Sequence, residues 1–318
     1  MTTGISEVYC DRRLGSKSRY YLGRPIDFDM RVPDEIRDCV VFLCVQVGQE
    51  GAQRFRYGGT AFFVSTPSET RPDAAYVYLV TARHNIEKSK QHGALYLRVN
   101  TKNQKAEFLQ IEDKWLYPDN AAVDIAILAI AALPDRFQYR YLGSEMFATD
   151  EVLKGHNIGI GDDLLIAGLF TQRHGTQRNL PIVRTGIIAA TPDEPLQDKD
   201  SGLDYDAYLA EVRSIGGLSG SPVFVFLEPG RVHSRTISNF RKSYLLGVIR
   251  GHWDYKHRET LVNFGDDELQ YVNMGIAIIT PIREVLAVLN GEALTKLRRD
   301  LDKTIAIKTA PIPDTEFL

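Results

Sequence analysis

The sequence predicts an all-β protein, and three observations lead there. Short runs of β-branched and aromatic residues recur along the chain, each bounded by Gly, Pro, Asn, Asp or Ser. The first half contains little that reads as a long amphipathic helix. The second half repeats the style of the first without visible sequence identity, so two similar β units are expected within 318 residues. That length is enough for two compact cores.

Residues 1 to about 33 carry many charges and tyrosines without a clear period and read as an extension over the surface. The first strand is expected over Val40–Val45, an apolar run of the buried kind. Tyr57–Val64 follows, with Gly58 and Gly59 leading into a strand, and the polar segment Ser65–Asp73 turns the chain. Further strands fit Tyr76–Val80, Ala94–Val99, Glu107–Ile111 and Ala122–Leu128. Pro134, Gly143 and Gly155 interrupt the pattern between Ala131 and Gly161, where a linker belongs. The second set of strands fits Asp163–Gly168, Pro181–Ala190, Ala207–Val212, Val223–Leu227, Ser243–Arg250 and Asn273–Ile279. Thr280-Pro281 then starts a helix, with proline at its first position and Ile282, Val285, Leu286 and Leu289 on one face. Asn290-Gly291 breaks it before Leu294, Leu297 and Leu301 resume a helical stripe, and two prolines loosen the tail from Ala310.

Composition narrows the function classes. A net charge of −3 argues against a surface built for nucleic acid. No apolar run approaches the length that crosses a bilayer, and the start lacks a basic head followed by an apolar stretch. Cys10, Cys39 and Cys44 form an odd, clustered set, a poor disulfide framework without zinc spacing. Cys39 and Cys44 read as buried small hydrophobes, and a reduced, cytoplasmic protein is expected.

The stretch with the most chemistry is Gly216-Gly217-Leu218-Ser219-Gly220-Ser221-Pro222. It puts a serine on a tight turn between two apolar runs, with glycines that let a substrate approach the main chain. The amides of Gly217 and Ser219 can face one concavity and hold the oxyanion of an acyl-transfer intermediate. The alternative is a β-hairpin that happens to be rich in Gly and Ser. The elbow of α/β-hydrolases is disfavoured, because Ser221 stands where that motif has glycine. A nucleophile needs a base, and the base needs an orienting partner. His84 ends the strand that runs into Thr81-Ala82-Arg83-His84, so it is expected at a barrel edge; a structural or merely exposed histidine is the alternative. Asp124 falls inside an apolar run, Ala121–Ile130, where a carboxylate is costly unless it is paired. An imidazole N–H would satisfy it and fix the tautomer that leaves the other ring nitrogen free.

Taken together, Thr81–His84, Asp124–Leu128 and Gly217–Pro222 resemble the trypsin-like serine peptidases of the chymotrypsin fold, in their bacterial-type members. The order His, Asp, Ser matches that family, and the separations of about 40 and about 95 residues fit it. Met274–Ile278 also looks like the family's last barrel strand. The resemblance spans roughly residues 33–289 and implies two antiparallel six-stranded β-barrels with a C-terminal helix. It divides the chain into an extension (1–33), a first barrel with His84 and Asp124 (34–140), a second barrel with Ser219 (141–290), and a helix and tail (291–318). It implies a serine endopeptidase acting on protein or peptide substrates through a His84-Asp124-Ser219 triad. Gly217 and Ser219 supply the oxyanion hole, and no metal or organic cofactor is needed. Neither nucleic acid nor membrane is an expected partner, and a regulatory partner is left unnamed. The alternative is a latent or non-catalytic binding protein on the same fold.

Two details of the resemblance bear on specificity and control. By the family's layout, Arg213 lies near the base of the specificity pocket and Gly247–His252 forms one wall. If Arg213, Arg250 or His252 points inward, the pocket favours Glu or Asp; the alternative is that these side chains face solvent. Glutamate-specific relatives use a histidine and share a similar Ser-Gly-Ser-Pro stretch. Leu218 stands where trypsin has the aspartate that receives a newly freed amino terminus, so activation of that type is not expected. Finally, Thr191–Asp206 holds six carboxylates against one lysine, Lys199. It reads as a solvated loop or, without the EF-hand spacing, as a calcium site.

Overall fold

The computed structural model describes residues 32–47, 54–71, 74–112, 114–212, 217–227, 232–233, 236–237, 242–257 and 270–309. The expectations for the extension up to residue 31, for Cys10, Arg213 and Gly216, and for the tail from residue 310 lie outside them.

A single helical turn, α1 (Asp34–Asp38), leads into the first sheet. Its strands are β1 (Val40–Val47), β2 (Arg54–Pro67), β3 (Ala75–Thr81), β4 (Leu95–Asn100), β5 (Ala106–Gln110) and β6 (Ala126–Ile130), with helix α2 (Arg83–Lys90) between β3 and β4. They run antiparallel in the order β5-β4-β1-β2-β3-β6, and β7 (Leu142–Gly143) adds in parallel to β2. Side chains alternate across a strand, and here both faces are apolar. Val41, Leu43, Val77 and Leu79 enter one core cluster, while Phe42, Phe62, Tyr76, Tyr78 and Val80 enter another. The second cluster continues through Leu164, Val223, Phe224 and Ile279. The first sheet therefore shares one face with the second half of the chain.

The first sheet curls toward closure without completing a sixth ladder. Beyond the end of β5 the chain meets β6 at an isolated bridge, in which Leu116 and Ile127 exchange main-chain hydrogen bonds of 2.8 and 2.9 Å. The polar residues Glu112 and Lys114 interrupt the strand in front of that bridge, while Ile111 and Trp115 remain buried. The second unit does close. β8 (Asp163–Gly168), β9 (Ile182–Ala190), β12 (Tyr208–Glu211), β13 (Pro222–Leu227), β16 (Lys242–His257) and β17 (Gln270–Pro281) form a barrel in the order β12-β17-β16-β13-β8-β9. Two short hairpins lie apart from it, β10 (Leu196–Gln197) with β11 (Asp204–Tyr205), and β14 (Val232–His233) with β15 (Thr236–Ile237). The fold is mostly β, with one closed six-stranded barrel, a second sheet and C-terminal helices.

Helix α3 (Asp150–His156) is capped by Thr149 and precedes the second unit, where its His156 meets Tyr244 of β16 at 3.0 Å. Helix α4 (Ile282–Leu289) has Pro281 as its N-cap rather than at its first helical position, since Pro281 still belongs to β17. Helix α5 (Glu292–Thr309) turns back over the first unit. Its Leu294 is buried, and its buried Asp302 accepts from Ser68 (3.1 Å), Arg71 (3.0 Å) and Tyr76. Cys39 and Cys44 are free, buried thiols; burial pushes the first far up and the second to about 12. No helix among the described residues is long and apolar enough to cross a membrane.

Candidate active site

His84 is not at a strand end. β3 stops at Thr81, and α2 begins two residues later, so His84 sits in a helix's first turn. That turn has orphan N–H groups, and its N-cap residue, Ala82, has no side chain to satisfy them. Asp124 does so from across the chain: its Oδ1 accepts the His84 backbone N–H at 2.9 Å, and its Oδ2 is 2.7 Å from Nδ1 of the same histidine. A helix N-terminus also favours a negative charge. Asp124 is buried, 8% exposed, and lies two residues before β6 rather than inside a strand. The expensive carboxylate is thus accommodated in a loop, where its main chain need not join a ladder.

The Ser219 turn connects β12 to β13, but the hairpin alternative fails, because those strands pair with others. β12 lies between β9 and β17, and β13 between β8 and β16. The turn is held instead by the first sheet. The Ser219 carbonyl accepts from the Thr60 N–H (3.0 Å) and from Nδ2 of Asn85 (2.8 Å), the residue after His84. The Thr60 hydroxyl donates to the Gly217 carbonyl (2.7 Å) and accepts from the Leu169 N–H (2.9 Å). Three glycines make this closeness feasible. Gly217 and Gly220 have φ of +99° and +84°. A Cβ on Gly220 would lie 2.2 Å from the Thr60 carbonyl, and one on Gly59 would lie 2.4 Å from Asn85.

The serine is half-buried, and its hydroxyl donates to the Arg250 carbonyl at 3.3 Å. Among the described residues the N–H groups of Gly217 and Ser219 have no main-chain acceptor. They are the donors an oxyanion would need. Leu218, between them, is buried in the core at 1% exposure.

Thr60 and Asn85 are site residues that the sequence reading missed. The only local sign of the first was the Gly58-Gly59 pair in front of it; Asn85 left none.

Arg250 does not present a free cation. Its guanidinium is bonded to the Asp198 carboxylate and to the Ala122 carbonyl, and it lies 4.0 Å from the centre of the Tyr205 ring. His252 is half-buried on β16, in register with Ala277. The acidic segment Thr191–Asp206 is solvated at Asp193, Glu194, Asp200 and Asp204, and a short hairpin of β10 and β11 pairs within it. Asp198 closes its turn by accepting from the Ser201 N–H and hydroxyl, each 2.9 Å, and from the Asp200 N–H. The Ser201 amide, the Ser201 hydroxyl and Arg250 together hold the Asp198 carboxyl below its ordinary range. Burial pushes the Tyr205 phenol up, helped by the carboxylates of Asp198 and Asp124. Among the described residues no three His, Cys, Asp or Glu side chains gather as a metal site.

No protein-family model matches the chain, and no curated protein matches it. Solved structures similar to it include "Crystal structure of Deg5", at 14% identity and a TM-score of 0.44, over 81% of this chain and 92% of that one. "HtrA-type protease AlgW with decapeptide" matches at 13% identity and a TM-score of 0.43, over 85% of this chain and 66% of that one.

Proposed function

We propose that this chain is a serine endopeptidase that hydrolyses protein or peptide substrates through an acyl-enzyme. The observation behind the reading is the two-point bond between Asp124 and His84, with the Ser219 turn clamped to the next helical residue. In the proposed reaction the Ser219 hydroxyl swings from the Arg250 carbonyl toward the other ring nitrogen of His84 and attacks the scissile carbonyl. His84 takes the hydroxyl proton and returns it to the leaving amine; water then repeats the sequence on the ester. Asp124 holds the ring's orientation and tautomer and stabilises the imidazolium. The Gly217 and Ser219 amides receive the oxyanion.

The second reading is a latent or non-catalytic binding protein, in which Ser219 stays on the Arg250 carbonyl that holds it here. A fluorophosphonate probe separates the two. In the peptidase reading it labels the wild type and fails on Ser219→Ala. Absence of labelling on folded wild-type protein, or equal labelling of both proteins, rejects that reading.

A further inference from the structure

Three parts of the site meet at Arg250. Its carbonyl holds the Ser219 hydroxyl, while its guanidinium bonds the carbonyl of Ala122, two residues before Asp124. The same guanidinium bonds Asp198 at the turn of the β10–β11 hairpin, with Tyr205 of that hairpin against it. The side chains of Arg250 and Asp198 are only 18% and 16% exposed, so solvent does little to loosen them. The hairpin reaches the Asp124 loop a second time. Asn120 Nδ2 donates to the Asp204 carbonyl at 2.8 Å, and Asn120 Oδ1 accepts from the Ala122 N–H at 3.0 Å. The loop in front of Asp124 is therefore pinned from one side by Arg250 and from another by the hairpin backbone.

We propose that Arg250 is a positioning residue for the triad, with the acidic hairpin as its anchor, rather than a receptor for substrate carboxylates. Its side chain sets the loop that places Asp124, and its main chain sets where the nucleophile rests, so one residue aligns both ends of the proton path. The cation is already matched by Asp198, and its remaining face is covered by Tyr205. The charge is thus used inside the protein. This inference rests on Ser219 and His84 being the nucleophile and base proposed above.

The test compares wild type, Arg250→Met, Arg250→Lys and Asp198→Asn, all as the full chain. Fluorophosphonate labelling is resolved into a maximal rate, kinact, and an apparent affinity, KI, and melting temperature is recorded. Misplacement by an ångström can cost up to about a hundredfold, so Arg250→Met should lower kinact at least about tenfold with KI unchanged. Arg250→Lys should recover part of the loss, because it can pair with Asp198 but lacks the second arm for Ala122. Asp198→Asn keeps an oxygen for the Ser201 and Asp200 donors and removes the charge pair; it should fall between, and it serves as the test if Arg250→Met fails to fold. A second readout is independent of reaction with the probe: the proton resonance of the His84–Asp124 hydrogen bond, which should broaden or exchange faster in Arg250→Met. Wild-type kinact together with an unchanged resonance in the folded variants overturns the proposal. If wild type does not label but the resonance responds, the peptidase reading fails, and what stands is the narrower claim that Arg250 positions the His84–Asp124 pair. If neither occurs, both fail.

Discussion

Thr60→Val removes one hydroxyl from a fully buried position between the two halves of the site. Valine nearly matches threonine in volume but not in chemistry. Two main-chain groups lose their partner, the Gly217 carbonyl and the Leu169 N–H. A buried polar group left unsatisfied costs about 1–3 kcal/mol. Because Gly217 is half-buried, water can relieve its carbonyl, which puts the pair near the lower end, about 2–4 kcal/mol. Against a typical total of about 5–15 kcal/mol that is a large loss, readable in urea unfolding. The proposed reaction should suffer more than the folded fraction does, because the carbonyl set free belongs to the residue whose N–H faces the oxyanion. One such donor is worth about 10²–10³ in rate, so a partial loss of aim should slow probe labelling about tenfold. Thr60→Ser is the control: it keeps the hydroxyl and loses a methyl, at about 1 kcal/mol. If Thr60→Val unfolds within about 0.5 kcal/mol of wild type, a margin typical of surface changes, and labels at the wild-type rate, the reasoning about this clamp is wrong.

Asp124→Asn should leave the His84 main-chain bond in place but offer an amide N–H₂ to Nδ1, imposing the wrong tautomer; a loss of about 10⁴ in turnover is expected, and near-normal turnover would refute the role. Asp302 ties α5 to the first unit, and although burial pushes its pKa up, hydrogen bonds from Tyr76, Thr70, Arg71 and Ser68 outweigh this and hold it below the ordinary value. Its contribution is therefore present above the unfolded value of about 3.9 and lost as pH falls through the folded one, so the stability gap between wild type and Asp302→Asn should shrink below about pH 4; a gap as wide at pH 3 as at pH 6 would count against it. Leu218 is buried and apolar, and an ammonium arriving there would lack a counter-charge. Intact chains and chains trimmed before about residue 33 should both label, whether or not the new amino terminus is blocked; labelling of trimmed chains alone, lost when that terminus is blocked, would restore the trypsin-type switch.

The strands were legible because they are runs rich in apolar residues set between turn residues, buried almost throughout in β3 and β6. Asp163–Gly168 was read to the residue, and β9, β12 and β13 to within one or two residues at each end. The parts that escaped depend on partners far along the chain. α2 is eight residues long with little apolar character, and the group that satisfies its first turn is 40 positions away at Asp124. The clamp on the Ser219 turn comes from Thr60 and Asn85, more than 130 positions earlier. Asp198 was not distinguishable from the solvated carboxylates around it, because local composition says nothing of Arg250, 52 residues further on. Among the described residues no ladder joins β5 to β6; Glu112 and Lys114 lie between the end of β5 and the Leu116–Ile127 bridge, and an isolated bridge of that kind has no local sequence sign.

Magnitudes also weigh the resting serine. A typical hydrogen bond contributes about 0.5–1.5 kcal/mol net, and the one from Ser219 to Arg250 is long at 3.3 Å. Breaking it to face His84 therefore slows reaction by about tenfold at most, since 1.4 kcal/mol corresponds to a factor of ten. A parked hydroxyl alone does not make a latent protein. Lasting latency would require the Gly217 peptide to turn away, which removes a donor worth far more than a side-chain rotation. The residue itself is held at its carbonyl, on the following peptide, by the Thr60 hydroxyl, and its α-carbon is crowded by Leu169 and Thr171, 2.9 and 3.0 Å from where a Gly217 Cβ would stand. Control of this site would thus have to act on the packing around Gly217. The rotamer of Ser219 is too cheap to be the switch.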